Sequence, residues 1–138
     1  MYATLGSPPA DLPGIIPPLF DGLPVTLLRD EWRIVNFDDG RHLTLLGLDC
    51  HHNIPLDSTT LEKIIADAPA DAPQVLLYHS PELMPQAVDM GIDLYVCGHT
   101  HGGQIRLPLI GAVITGSALG RRYVMGHYHE EQTHLYVS

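Results

Sequence analysis

The chain has 138 residues, of which 45% are hydrophobic and 17% are charged, and its formal net charge is −9. This composition permits one domain with a packed core and excludes a disordered chain. With seven basic residues, it also argues against a nucleic-acid surface, and no stretch is long enough for a membrane span.

The first third of the chain is predicted as an arm followed by strands. Residues 8–24 hold six prolines, so we expect a loop or extended arm over 1–24 rather than a helix. Three short apolar runs follow at 25–28, 32–37 and 42–48. The turn-like FDDGR between the last two predicts a hairpin.

The middle of the chain predicts alternating helices and strands. Residues 57–68 have apolar positions at helical spacing, with Asp57 and Ser58 as candidate N-caps. A strand, a helix and a strand are predicted next, at 74–78, 81–91 and 92–97. From residue 105 onward, short runs broken by glycines predict antiparallel strands. The order of elements predicts an α/β fold with a mixed sheet and helices on one face.

Three histidines follow the two predicted buried strands. His79 ends the first strand, and His99 and His101 lie just past the second, in YVCGHTHGGQ. Because ligands of open α/β sheets bind at the carboxyl ends of strands, we expect these imidazoles to converge on one edge. Residues two apart in an extended segment also point to one side. Neutral imidazole binds Mn, Fe, Zn and Ni, so the pattern predicts a divalent metal site with glycine-hinged surroundings.

Three histidines are too few to complete the coordination of a divalent ion, so further donors must exist. Asp49, His51 and His52 follow another predicted strand end, with a solvated loop as the alternative for both histidines. Asp11 is a further carboxylate candidate. A second group lies near the carboxyl terminus and is expected on a surface hairpin: His127, His129, Glu130 and His134.

Two segments resemble one enzyme family. LLYHSPE and DLYVCGHTHGGQIRLP, with YATLG, LLGLD and the closing HLYVS, closely resemble the C-terminal half of calcineurin-like metallophosphoesterases, in particular the bacterial subgroup with GHTHGGQ. The resemblance implies a β-sandwich flanked by helices and hydrolysis of phosphate mono- or diesters. It also implies a two-metal centre, in which His79 and His99 bind one ion and His101 binds the other.

Other signatures of that family are missing from the sequence. Its D-x-H and G-D-x-x-D motifs do not occur, and SPPAD stands where G-N-H-[DE] would follow YATLG. The metal-bridging aspartate, the asparagine ligand and the histidine that protonates the leaving group therefore have no matching positions. We interpret residues 1–138 as a single truncated metallophosphoesterase-like domain.

The favoured hypothesis is a divalent-metal-dependent phosphoesterase in which a metal-activated water attacks a phosphodiester. His99 and His101 are the predicted catalytic residues, and His79, His99, His101, Asp49 and His52 are the predicted metal ligands. Mn is the expected metal, with Zn, Fe and Ni as alternatives. Arg106 is a candidate for holding phosphate oxygens, with a plain strand-surface arginine as the favoured alternative. Two alternatives are a non-catalytic metal-binding oligomerisation module and one half of a split enzyme that needs an N-terminal partner.

Partners follow from the same interpretation. Half of a two-sheet sandwich exposes an apolar sheet face, which a monomer rarely tolerates. We therefore predict a homo-oligomer that covers this face, acting on a small phosphate ester. Cys50 and Cys97 are expected to be reduced thiols. The amino terminus lacks a basic region followed by an apolar one, so a cytoplasmic location is the expectation.

Overall fold

The structure, a computed structural model, describes residues 1–7, 11–12, 14–103, 105–107, 111–114, 117–119 and 121–138. Parts of the predicted arm, residues 8–10 and 13, lie outside these ranges. So does Gln104 in the GHTHGGQ stretch. For 105–107 and 111–114 the backbone alone is described, which leaves the side chain of Arg106 outside the description.

Ten strands form one large and two small sheets. In chain order they are β1 Tyr2–Ala3, β2 Thr26–Leu27, β3 Glu31–Asn36, β4 His42–Gly47, β5 Gln74–Leu77, β6 Leu94–Cys97, β7 Ile105–Leu107, β8 Gly111–Ile114, β9 Gly126–Glu130 and β10 Thr133–Val137. The large sheet has the order β3-β4-β5-β6-β10-β9, while β1 pairs with β2 and β7 pairs with β8.

The large sheet is mixed, as predicted. Strands β4, β5, β6 and β10 run parallel, and the edge strands β3 and β9 are antiparallel to their neighbours. The FDDGR hairpin is confirmed, with Gly40 at φ 83° in the turn. The expectation of antiparallel strands from residue 105 onward is confirmed for β7 with β8 and for β9 with β10, while β10 also pairs in parallel with β6. Short runs and glycine breaks carry no information on which distant strand a segment joins.

The first helix, α1, spans Ile54–Asp67, three residues earlier than predicted. The N-cap assignment to Asp57 and Ser58 is wrong, because Asn53 caps the helix and its side chain accepts a hydrogen bond from the Leu56 N–H. Pro55 sits in the first turn, where a missing N–H costs nothing. Asp57 is instead a buried residue of the first turn.

The second helical segment is split in two. A 3₁₀ turn over Pro81–Leu83 leads into α2, Met84–Asp89. Pro85 has no N–H to continue the hydrogen bonding from the preceding turn, which explains the division. Within the described part of the chain, no helix combines the length and apolarity needed to cross a bilayer.

The core lies between the helices and one face of the large sheet. Leu46, Leu76, Tyr95 and Leu135 stand side by side on neighbouring strands and are completely buried. Leu61 of α1 and the segment Leu83–Met84 belong to the same cluster. The prediction of an α/β fold with the helices on one face is therefore confirmed.

The amino-terminal strands cover part of the opposite face. Gly47 lies on that face, and the Leu28 side chain packs directly against it where a Cβ would otherwise stand. Leu28 is fully buried and Leu5 nearly so. Leu45 on the same face is also buried, so at this end the face is less open than the sequence suggests.

Candidate metal centre

Three histidines meet at the carboxyl edge of the large sheet. His52 follows β4, His79 follows β5 and His99 follows β6. These three strands are parallel, so the loops after them meet at one edge. His79 and His99 were predicted to converge there, and the structure places them in contact.

The closest pair is His79 and His99. Nε2 of His79 lies 2.9 Å from Nδ1 of His99, and the ring centroids are 4.7 Å apart. The His52 ring lies 5.1 Å from that of His99 and 6.2 Å from that of His79. His52 is therefore the third member of one imidazole cluster, while its Nε2 lies 2.7 Å from the Ser7 hydroxyl oxygen.

The loop that carries His99 is anchored by its buried threonine. Thr100 is completely buried, and its hydroxyl donates to the Val124 carbonyl oxygen at 2.5 Å. Gly103 N–H donates to the Thr100 carbonyl at 2.8 Å, and Gly98 N–H donates to the His79 carbonyl at 3.0 Å. The bond to Val124 and the bond to the His79 carbonyl hold the loop that follows β6 in place.

The backbone of this loop is not extended, contrary to the geometry assumed for the H-x-H pair. His99 has φ 73° and His101 has φ 51°, and glycines 102 and 103 also have positive φ. Neither histidine ring position can therefore be inferred from strand alternation. His101 is exposed, and among the described residues its ring contacts neither His79 nor His99.

Three of the histidines occupy left-handed backbone conformations, which cost non-glycine residues roughly 1–2 kcal/mol each. These are His52, His99 and His101, with φ between 51° and 73°. Strained residues of this kind cluster at active sites and ligand clamps, held in place by the surrounding structure. Asp30 and Glu131 also have positive φ, so three of the five such non-glycine residues in the described part of the chain lie at the edge that the imidazoles occupy.

A carboxylate lies beside the cluster. Gly6 N–H donates to Asp11 Oδ2 at 2.7 Å. A Cβ built on Gly6 would lie 2.5 Å from that oxygen and 2.9 Å from His79 Nδ1. Only glycine fits between the two groups, which brings the Asp11 candidate next to the histidines. Ser7, at the position where the family pattern has asparagine, was missed by the sequence reasoning.

His79 is held in its neutral form. Burial lowers the pKa of its imidazole, and the neighbouring rings of His99 and His52 lower it further, against an opposing effect of Asp11. Neutral imidazole is the form that binds a metal ion. The environment of His79 therefore favours ligation over protonation.

Asp49 is committed elsewhere. Its Oδ2 accepts a hydrogen bond from Arg29 Nε at 2.6 Å in an ion pair. Burial nevertheless raises the pKa of this carboxyl, outweighing the effect of Arg29. Among the described residues, its Oδ1 is buried without a hydrogen-bond partner. Asp49 and Asp11 line one small cavity of about 60 Å³, whose lining includes none of the three clustered histidines.

His51 points into a different network. Its Nδ1 lies 2.8 Å from Asp57 Oδ1, and the Tyr78 hydroxyl donates to Asp57 Oδ2 at 2.6 Å. The Cys50 thiol in turn lies 3.4 Å from the Tyr78 oxygen. This buried network holds the loop after β4, and therefore His52, without supplying a free ligand.

The donor groups at this site supply part of the coordination that a divalent ion requires. Two nitrogens bound cis to one ion at about 2.1 Å lie roughly 3 Å apart, which matches the 2.9 Å between His79 and His99. Across the described ranges, however, no three His, Cys, Asp or Glu side chains are already arranged to enclose an ion. His79 and His99 are therefore the two side chains placed to bind one ion, and His52 and Asp11 lie beside them.

Comparison with known proteins finds relatives that are named as metallophosphoesterases or phosphodiesterases. The chain is 31% identical over 113 residues to the uncharacterized metallophosphoesterase YkuE of Bacillus subtilis, covering 82% of this chain and 38% of YkuE. It is 38% identical over 69 residues to the phosphodiesterase YaeI of Escherichia coli, covering 50% of this chain and 25% of YaeI. The relatives point to the metallophosphoesterase superfamily.

A third relative extends this to animals. The putative metallophosphoesterase F40B5.2 of Caenorhabditis elegans is 29% identical over 108 residues, which cover 72% of this chain and 21% of that protein. The chain thus spans less than two-fifths of the length of each of these relatives. No protein-family profile and no solved structure matches it.

Proposed function

We propose that the chain carries one side of the active site of a divalent-metal-dependent phosphoesterase that hydrolyses phosphodiesters. The observation that carries this proposal is the contact of His79 and His99 at the carboxyl edge of two parallel strands. Relatives named as a metallophosphoesterase and as a phosphodiesterase supply the reaction class. The bacterial subgroup with GHTHGGQ and a single metallophosphoesterase-like domain over residues 1–138 are part of the same proposal.

His79 and His99 would hold one ion, and His101 a second one beside it. His52 and Asp49 are the further proposed ligands: the His52 ring lies 5.1 Å from that of His99, and Asp49 is ion-paired with Arg29. Mn is the expected metal, and Zn, Fe and Ni fit the same imidazole donors. A bound divalent ion supplies a water of lowered pKa and stabilises charge on the phosphate oxygens.

The residues of the chain have separate roles in this scheme. Burial keeps His79 neutral for ligation, and the Thr100 anchor fixes the loop of His99. Arg106 would contact the phosphate oxygens. No residue matches the proton-donating histidine of the family, so diesters with leaving groups that need no protonation are the expected substrates.

The remaining ligands must come from outside the described pair. We propose that a second copy of the chain supplies them and covers the apolar sheet face, where Tyr136 remains half exposed. The alternative is that the chain is one half of a split enzyme. In that case a separate N-terminal partner supplies both the ligands and the cover.

The test is hydrolysis of bis(p-nitrophenyl) phosphate by the purified chain after chelation and after addition of Mn²⁺. The proposal predicts that Mn²⁺ restores turnover, that His99→Ala abolishes it, and that the control His42→Ala retains it. His42 opens β4 at the far end from the site. Metal binding without turnover supports the non-catalytic module, and turnover on addition of an N-terminal half supports the split enzyme. Turnover that survives chelation, or a His99→Ala protein with Mn²⁺ that is as active as the unchanged chain, refutes the proposal.

A further inference from the structure

A second group of histidines lies on the terminal hairpin, away from the candidate metal centre. His127 and His129 are two residues apart on β9, and His134 stands on β10 directly opposite His129. Alternating residues of a strand share a face, and directly paired residues share it too. All three side chains therefore project from the same face of the hairpin, and all three are exposed.

The three rings are already stacked together. His127 Nε2 lies 2.9 Å from His134 Nδ1, and their ring centroids are 5.1 Å apart. The His129 ring lies 4.3 Å from the His134 ring, and both stacks are within 12° of parallel. A hydrogen bond between two imidazole nitrogens requires that one of them be unprotonated, so at least one ring of the pair is in the metal-binding form.

The rings as they stand do not enclose an ion, because stacked imidazoles direct their nitrogen lone pairs along parallel planes and no three such side chains among the described residues are arranged around one point. His127 Nε2 and His134 Nδ1 are nevertheless 2.9 Å apart, which is close to the separation of cis ligands on an ion bound at about 2.1 Å. Binding would require the exposed side chains to rotate to other staggered rotamers in which their nitrogens converge. Three imidazoles with a water in the fourth position form an established coordination set for zinc.

The hairpin site is separate from the cluster around His79. His134 pairs with Leu94, the first residue of β6, whereas His99 follows the last residue of that strand. Five residues along a strand correspond to about 16 Å. One ion cannot therefore bridge the two groups.

We propose that His127, His129 and His134 form a solvent-accessible binding site for a divalent ion of the imidazole-preferring class, Zn²⁺, Ni²⁺ or Cu²⁺. These ions bind nitrogen donors more strongly than Mn²⁺ does. The hairpin therefore discriminates against the metal expected at the candidate centre. The proposal does not depend on phosphoesterase activity.

The test is a titration of the untagged chain with Zn²⁺ by isothermal calorimetry. The double variant His79→Ala/His99→Ala lacks the candidate metal centre but keeps the hairpin histidines. One equivalent of Zn²⁺ should therefore still bind to this variant, at the hairpin. Adding His134→Gln should weaken that binding at least tenfold, and the control His42→Gln should leave it unchanged. No Zn²⁺ binding in the double variant, or unchanged binding with His134→Gln, overturns the proposal.

A second measurement uses the otherwise unchanged chain, which covers the case in which the His79→Ala/His99→Ala variant does not fold. In the otherwise unchanged chain, His134→Gln should reduce the bound Zn²⁺ by one equivalent while the far-ultraviolet circular dichroism stays the same, because the side chain is exposed. Co²⁺ loading should give visible absorption bands of a nitrogen-rich tetrahedral site, and these should be lost in the same variant. An unchanged Zn²⁺ count and unchanged Co²⁺ bands overturn the proposal.

Discussion

Removing the Tyr78 hydroxyl should destabilise the loop that positions His52. Tyr78 is buried, and its hydroxyl donates at 2.6 Å to Asp57, which is completely buried. Tyr78→Phe keeps the ring and its packing and removes this one donor. Asp57 then retains only its two contacts with His51, from the backbone N–H at 3.2 Å and from the ring.

The expected loss follows from the charge of the acceptor. A hydrogen bond to a charged group contributes about 1.5–3 kcal/mol, and burial of Asp57 leaves no water to replace the lost donor. At about 4 °C per kcal/mol for a domain of this size, the melting midpoint should fall by about 6–12 °C. Urea unfolding followed by circular dichroism measures the free energy, and calorimetry measures the midpoint.

The matched control is Tyr136→Phe on β10. Tyr136 is half exposed and its hydroxyl has no hydrogen-bond partner among the described residues, so the change should stay within about 0.5 kcal/mol. A Tyr78→Phe protein as stable as the unchanged chain would refute the role of the Asp57 network in holding this loop.

Three further changes test other parts of the structure. Gly6→Ala should lower the free energy of unfolding by about 1–3 kcal/mol through overpacking, because the added Cβ would lie 2.5 Å from a carboxylate oxygen, and it should also weaken Mn²⁺ binding. The control in the same unfolding and binding measurements is Gly14→Ala, which has open space around it. Asn53→Ala should remove the cap of α1 and cost about 0.5–2 kcal/mol in urea unfolding, and a neutral result would contradict the cap assignment. Burial raises the pKa of the Cys97 thiol to about 12 and also raises the pKa of the Cys50 thiol. Both thiols should therefore stay protonated at pH 8 and should not react with a thiol reagent until the chain is denatured. Rapid reaction of either thiol in the native chain would contradict their burial.

Much of the fold could be predicted from periodicity and turn chemistry. The strands after residue 31 and the FDDGR hairpin were expected because apolar runs and turn residues are local signals. The start of α1 was misplaced because Asp57 and Ser58 are residue types that favour the N-cap, whereas Asn53 is the cap and Pro55 lies in the first turn. The pairing of β10 with β6 depends on a long-range contact that no local pattern encodes.

The candidate site, like the fold, could be predicted only in part from the sequence. Placement of His79 and His99 at one edge followed from strand order alone. The proximity of Asp11 and Ser7 did not, because it depends on how the amino-terminal segment folds back over Gly6. The left-handed backbone at His99 and His101 also lay beyond sequence reasoning, since alternation assumes an extended chain.

The most direct measurement of the central claim is X-ray absorption spectroscopy of the Mn²⁺-loaded chain, with His134→Gln present so that the hairpin contributes no ligand. We predict at least two imidazole ligands per ion, and one fewer in a protein that also carries His99→Ala. A first coordination sphere made only of oxygen, or one that His99→Ala leaves unchanged, would contradict a metal centre built on His79 and His99.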